Sequence, residues 1–348
     1  MEAYYSKHIL KFNKPSGTSR GVLRQKETWF IIIQDKDKVG IGECGLLPGL
    51  SIDDQPDYES KLQWTCDHID LGFETLWERL IAYPSIQSGL EQAFISLSNE
   101  NRFELFPSEF TQANTGIAIN GLIWMGSEEF MSRQIQQKIK QGFGCIKMKI
   151  GAIDFATELK LLTAIRKEFS ASDIELRVDA NGAFSISDAL PKLEQLATLD
   201  IHSIEQPIRQ GQWDKMAELC SKTPIPIALD EELIGIFELA EKEKLLQQIQ
   251  PQYLIFKPSL IGGFKGTKQW IDLCQKYSIN WWVTSALESN VGLNAIAQWT
   301  YTLNNPMPQG LGTGGLYTNN IDSPLEVIGE KLYYNNRGKW DTKYLKFK

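Results

Sequence analysis

Three lysines and three carboxylates stand at near-regular intervals through the middle of this 348-residue sequence: Lys147 and Lys149, then Asp179, Glu205 and Asp230, then Lys257. Gathered without compensation, that many buried charges would each cost several kcal/mol. A hard divalent cation converts the repulsion among three carboxylates into a binding site. Mg²⁺, with Mn²⁺ as a substitute, suits a site of few carboxylates that keeps positions for water or substrate. A lysine beside it can serve as a general base if its neighbours favour the neutral amine. Lys147 lies two residues from Lys149, on the same face of a strand. Cation and lysine together suggest removal of a proton α to a carboxylate, because coordinating that carboxylate stabilises the enediolate that forms. A rim of ordinary salt bridges explains any one of these residues better than it explains five in register.

The residues must be carried by repeated elements. Short apolar runs at Cys145–Ile150, Ile174–Asp179, Ile201–Glu205, Ile225–Asp230, Tyr253–Lys257 and Trp281–Ser285 alternate with amphipathic helical stretches. One such helix starts near Ser127, an N-cap followed by Glu128 and Glu129 in the positive first turn. Strand, helix, strand at this rhythm means parallel βαβ units. The polar strand ends are Lys149, Asp179, Glu205, Asp230, Lys257 and Ser285, and subtracting residue numbers gives gaps of 30, 26, 25, 27 and 28. So many consecutive right-handed repeats favour closure into a (β/α) barrel, whose active site lies where strands end. The two-residue period puts Lys147, Lys149, Arg177, Asp179, Glu205, Asp230 and Lys257 toward the barrel mouth. Ile146, Met148, Val178, Ile204, Leu229 and Phe256 then pack beneath the helices.

The first hundred residues read differently, as α+β. Trp29–Ile33 and Val39–Glu43 form a hairpin pattern around Asp35–Lys38, and a helix face recurs at Ile86, Leu90, Ala93, Phe94 and Leu97. Lys14–Arg20, rich in Pro, Gly and hydroxyl residues, reads as a mobile loop and a candidate lid. The length predicts two domains, or one barrel with an appendage. With 43 acidic residues against 36 basic, the net charge of -7 speaks against nucleic acid and anionic membranes as partners. A small-molecule carboxylate is the expected partner. Five widely spaced cysteines with no C-x-x-C pair, no basic-then-apolar leader and no long apolar run predict a reduced, cytoplasmic protein.

The motifs Lys147-Met148-Lys149, Val178-Asp179-Ala180-Asn181, Ile204-Glu205-Gln206-Pro207, Leu229-Asp230-Glu231 and Lys257-Pro258 resemble the muconate-lactonizing subgroup of the enolase superfamily. Gly42-Glu43 with Leu47–Ser51, and Ser285–Ser289 with Gly292-Leu293, extend the resemblance over nearly the full length. It implies a modified TIM barrel, (β/α)7β, at 115–318, an α+β capping domain at 1–114, and a C-terminal segment, 319–348, returning to the cap. It also implies that Asp179, Glu205 and Asp230 bind Mg²⁺, that Lys149 removes the α-proton and that Lys257 stabilises the intermediate from the other side. Lys147, Arg177, Asn181, Ser285, Gly312 and Thr313 are expected near the substrate. Alternation turns Glu231 away from the metal.

Within the subgroup the best match implies a lyase that dehydrates 2-succinyl-6-hydroxy-2,4-cyclohexadiene-1-carboxylate to 2-succinylbenzoate in menaquinone biosynthesis. The charged ring alone does not choose the substrate. Dipeptide epimerases carry an Asp-x-Asp near the last strand, where this chain has Gly310-Leu311-Gly312-Thr313-Gly314-Gly315. That glycine-rich rim suits the succinyl tail of a dicarboxylate. N-succinylamino acid racemisation is the nearest rival, cycloisomerisation stands further off, and a non-catalytic binding protein on the same barrel is the rival from another class. Trp281 and Trp282 are candidates to line the pocket. His8, His68 and His202 read as packing or surface residues.

Overall fold

The computed structural model describes residues 1–18, 21–113, 115–345 and 347. Strands β1 (Glu2–Thr18), β2 (Gly21–Asp35) and β3 (Lys38–Cys44) form an antiparallel sheet in that order. Helices α1 (Tyr58–Asp67), α2 (Gly72–Arg79) and α3 (Pro84–Ser98) cover one face. Trp29, Ile31 and Ile33 pack with Leu62, Leu76 and Leu90 on that side. Phe30 and Ile32 pack with Val291, Ile321 and Leu345 on the other. The run Trp29–Ile33 is apolar throughout because both faces of β2 are covered. Helix α3 sits directly on β3, where a Cβ at Gly42 would come within 1.9 Å of the Gly89 carbonyl oxygen.

A second, parallel sheet follows. After β4 (Ile117–Ala118), the units are β5 (Gly121–Ile123) with α4 (Glu128–Lys140), β6 (Cys145–Lys149) with α5 (Phe155–Glu168), and β7 (Glu175–Asp179) with α6 (Ile186–Ala197). Then come β8 (Ser203–Glu205) with α7 (Trp213–Lys222), β9 (Ile227–Leu229) with α8 (Leu239–Ile249), β10 (Tyr253–Phe256) with α9 (Gly263–Tyr277), and β11 (Asn280–Val283) with α10 (Asn290–Thr302). The seven strands β5 to β11 pair in sequence order. Gln309 and Gly310 bridge Ile119 on one edge and Thr284 on the other, both in parallel sense, and so close the sheet into a modified TIM barrel. Helix α4 starts where the Ser127 cap predicts, with Ser127 Oγ accepting from Phe130 N at 3.3 Å, and α5 is capped in the same way by Asp154, whose Oδ2 accepts from Thr157 N at 3.1 Å.

One local expectation is corrected. Lys14–Thr18 is not a loop but the end of β1, paired with β2 after a register break between Lys11 and Ser16; Ser19 and Arg20 lie outside the described residues. A bulge accommodates Pro15, which has no N–H to give a ladder. Within 319–348, β12 (Leu325–Ile328) and β13 (Lys331–Tyr334) form a hairpin on β4, so this part joins the barrel side. Further on, Trp340 stacks on Phe103 with ring centroids 4.1 Å apart, and Leu345 packs with Phe30 and Ile32. Among the described residues no helix is long and apolar enough to cross a membrane. All five cysteines are buried and unpaired.

Candidate active site

Strand register determines the site. Lys149 pairs with Asp179, and Asp179 with Glu205, so three side chains leave the ends of β6, β7 and β8 at one level. Asp230 and Lys257 follow directly after β9 and β10. Lys149 Nζ donates to Asp179 Oδ2 at 2.9 Å and to Asn181 Oδ1 at 2.7 Å. Lys147 Nζ lies 3.1 Å from Asp179 Oδ2 and bonds to Glu205 Oε2. Lys257 Nζ pairs with Asp230 Oδ2 and lies 4.0 Å from Glu205 Oε1. Asn181 sits in the left-handed region at φ 44°, tolerated by its residue type, and its Nδ2 donates to Glu231 Oε1 at 3.0 Å. Glu231 thus faces Asn181, the residue that also holds Lys149, and stands beside the charged ring rather than turned away from it.

The ring is buried and sets three carboxyl groups against three lysines. Burial raises the Asp179 carboxyl, but Lys147, Lys149 and Lys257 outweigh it and hold it well below the usual range. Burial also opposes ionisation of Asp230, and Lys257 overcomes it. Glu205 is different. Burial, then repulsion from Asp179 and Asp230, push it up to about 8 despite Lys147. Its Oε1 is buried without a hydrogen-bond partner.

These observations test the fit to a divalent cation. Among the described residues no three acidic, His or Cys side chains converge on one point, because the lysine ammonium groups lie between them. In kind, however, the set fits: oxygen donors only, from three consecutive strand ends, with one orphaned carboxylate oxygen and one carboxyl short of positive charge. The lysines, which reach the carboxylates on flexible four-carbon stems, can yield to a cation.

Above the ring lies a cavity of about 300 Å³ bordered by Lys147, Lys149, Asp179, Asn181 and Lys257. Ser285, Gly312 and Thr313 form another wall, with Ser285 Oγ 2.7 Å from Thr313 Oγ1. Gly310 also borders it, but its N–H donates to Val283 O at 2.8 Å, so the barrel ladder consumes that donor. The cap contributes Val22 and Leu23 from the β1–β2 tip and Leu47 and Leu50 from the segment after β3.

Arg177 is the correction among the expected substrate contacts. It points inward as alternation requires, but one layer below Asp179, where Nε donates to Glu175 Oε1 at 2.6 Å and Nη1 to Pro308 O at 3.0 Å. Its guanidinium covers the Trp282 ring at 4.2 Å, and neither residue borders the cavity. Trp281 packs on Phe256 and is likewise absent from the cavity wall. None of the three histidines borders it. Sequence reasoning passed over Trp124, Leu47 and Leu50 as cavity residues. Leu47 and Leu50 stood in a recognised cap motif without a site role, and Trp124 followed a strand of only three residues.

Residues 131–332 match the family described as enolase C-terminal domain-like. The chain is 45% identical to o-succinylbenzoate synthase from Desulfotalea psychrophila, over 95% of this chain and 98% of that protein. The crystal structure of MenC from Desulfotalea psychrophila LSv54 superposes with a TM-score of 0.85 at 41% identity, covering 96% of this chain and 99% of that one. A more distant relative, the N-succinylamino acid racemase of an Amycolatopsis species, is 28% identical over 56% of this chain and 51% of its own length. A charged ring on consecutive strand ends, a barrel closed by Gln309–Gly310 and identity along almost the whole length lead to one assignment: the chain belongs to the enolase superfamily, among the o-succinylbenzoate synthases.

Proposed function

We propose that the protein is a carbon–oxygen lyase that dehydrates 2-succinyl-6-hydroxy-2,4-cyclohexadiene-1-carboxylate to 2-succinylbenzoate. The observation that carries this reading is the pair of lysines, Lys149 and Lys257, on opposite sides of three aligned carboxylates in one cavity. Asp179, Glu205 and Asp230 would hold Mg²⁺, which when bound supplies Lewis-acid polarisation of the substrate's ring carboxylate. Lys149 Nζ, released from Asp179 and present as the neutral amine after its proton passes to solvent, accepts the α-proton. The C–H electron pair becomes a ring double bond as the C–O bond breaks, and the ammonium of Lys149 returns the proton to the departing hydroxyl, so water leaves and the base is regenerated. Aromatisation of the ring drives the step. Lys257 stays protonated between Asp230 and Glu205 and offers a fixed positive charge to the opposite face. Ser285, Thr313 and Gly312 form the polar wall toward which the succinyl tail lies. Asn181, between Lys149 and Glu231, holds the base in place.

Replacing Lys149 by Ala is expected to abolish turnover while Mg²⁺ still binds by titration calorimetry; substantial residual dehydration would contradict the assignment. The second reading, N-succinylamino acid racemisation, is favoured by the presence of a lysine on each face, as a two-base exchange requires. Turnover of the cyclohexadiene beside N-succinylamino acids separates the two readings. Dominant racemisation would displace the lyase.

A further inference from the structure

Around the barrel mouth, β6 to β11 present Lys149, Asp179, Glu205, Asp230, Lys257 and Thr284. At the same level β5 presents Trp124: Ile123 pairs with Met148, so the next residue stands beside Lys149 and shares the inward face with Leu122. The indole borders the cavity although it is only 9% exposed. Lys149 Nζ lies 6.0 Å from its ring centroid, at the reach of a cation–π contact. One side chain from α4 clamps its backbone at both polar atoms, since Trp124 N donates to Gln134 Oε1 and Gln134 Nε2 donates to Trp124 O, each at 3.0 Å. A ring so held keeps its orientation. It can neither ligate a cation nor accept the α-proton, and what it offers a ligand is a flat apolar face directly beside the base.

We propose that Trp124 is a specificity-determining residue: its face receives the six-membered ring of the substrate and turns the α-carbon toward Lys149, favouring a planar conjugated ring over an acyclic N-acylamino acid. This rests on the lyase reading above. Gln134 is the positioning residue behind it.

The test uses the full chain with saturating Mg²⁺. Binding of 2-succinylbenzoate and of N-succinylalanine is titrated calorimetrically for wild type, Trp124→Leu and Trp124→Phe, beside steady-state dehydration. Trp124→Leu is expected to weaken 2-succinylbenzoate about tenfold and to lower kcat/KM for the cyclohexadiene by at least about tenfold. N-succinylalanine affinity should change less than about threefold in the same variant, and Trp124→Phe should stay within about threefold for both ligands. Equal loss of both ligands in Trp124→Leu, or an affinity for 2-succinylbenzoate within about twofold of wild type, overturns the assignment. A wild type that binds 2-succinylbenzoate but does not dehydrate the cyclohexadiene refutes the lyase reading alone, and the titrations still decide the role of Trp124. A wild type that does not bind 2-succinylbenzoate refutes both.

Discussion

Arg177 and Asp179 leave the same face of one strand and end in different surroundings, the first among Glu175, Pro308 and Trp282, the second in the charged ring. Alternation along a strand tells which face a side chain takes, but not its height within a barrel filled in layers. The charged ring was therefore legible from Lys149, Asp179 and Glu205, each closing an apolar run, whereas the depth of Arg177 was not. A stabilising role for Arg177 has a measurable signature. Arg177→Met should lower unfolding stability in urea by about 2–4 kcal/mol, through lost hydrogen bonds and ring contact. KM in the folded fraction should stay within about twofold of wild type, where a substrate contact would raise it tenfold or more.

At the scale of elements, closure depends on a glycine. A Cβ at Gly310 would lie 2.0 Å from Thr284 Oγ1 and 3.1 Å from Thr284 Cα, so the segment between β11 and Ile119 approaches as only a bare backbone can. Gly310→Ala should destabilise the barrel by about 2–4 kcal/mol in thermal unfolding, and Thr284→Gly should restore part of it. This segment read as a glycine-rich rim because its pairing is two isolated bridges rather than a strand. The β12–β13 hairpin was missed for a related reason: a four-residue strand carries too few alternations to be told from a tail.

The cap and barrel also meet through Glu91 of α3, which accepts from Phe264 N at 2.6 Å and Lys265 N at 3.1 Å at the start of α9. Burial pushes its carboxyl up to about 7 against these N–H groups, from an ordinary 4.5. The folded protein therefore holds a proton that the unfolded chain releases between those values. Its contribution to stability is complete below about pH 4.5 and falls as pH rises through about 7, by on the order of 3 kcal/mol at most. Glu91→Gln should flatten the decline of urea stability between about pH 4.5 and 7; an unchanged slope would show that Glu91 does not set it.

Across the whole molecule, acidic residues are in excess, while the site itself sets three lysines against three carboxyl groups. In the proposed lyase such a site would take up a divalent cation and an anionic substrate together. Mg²⁺ at about 100 times its Kd should stabilise the wild type by about 2.7 kcal/mol, read as a rise in Tm. In Glu205→Gln, which removes one of the three carboxylates, that rise should largely vanish. The broad organisation was readable from the sequence because its repeat length and its strand-end charges coincide. The repeat did not announce the cavity walls, such as Trp124, Ser285 and Thr313, on which the proposed choice among substrates rests.

The most direct measurement is a single-turnover assay of 2-succinylbenzoate formation from the cyclohexadiene substrate, with and without Mg²⁺, for wild type and Lys149→Ala. The expected result is Mg²⁺-dependent product in the wild type and none above background in the variant, although the variant still binds Mg²⁺. Product formed by Lys149→Ala at near wild-type rate, or no product from the wild type with Mg²⁺ bound, would contradict the assignment of Lys149 as the base of a dehydrating site.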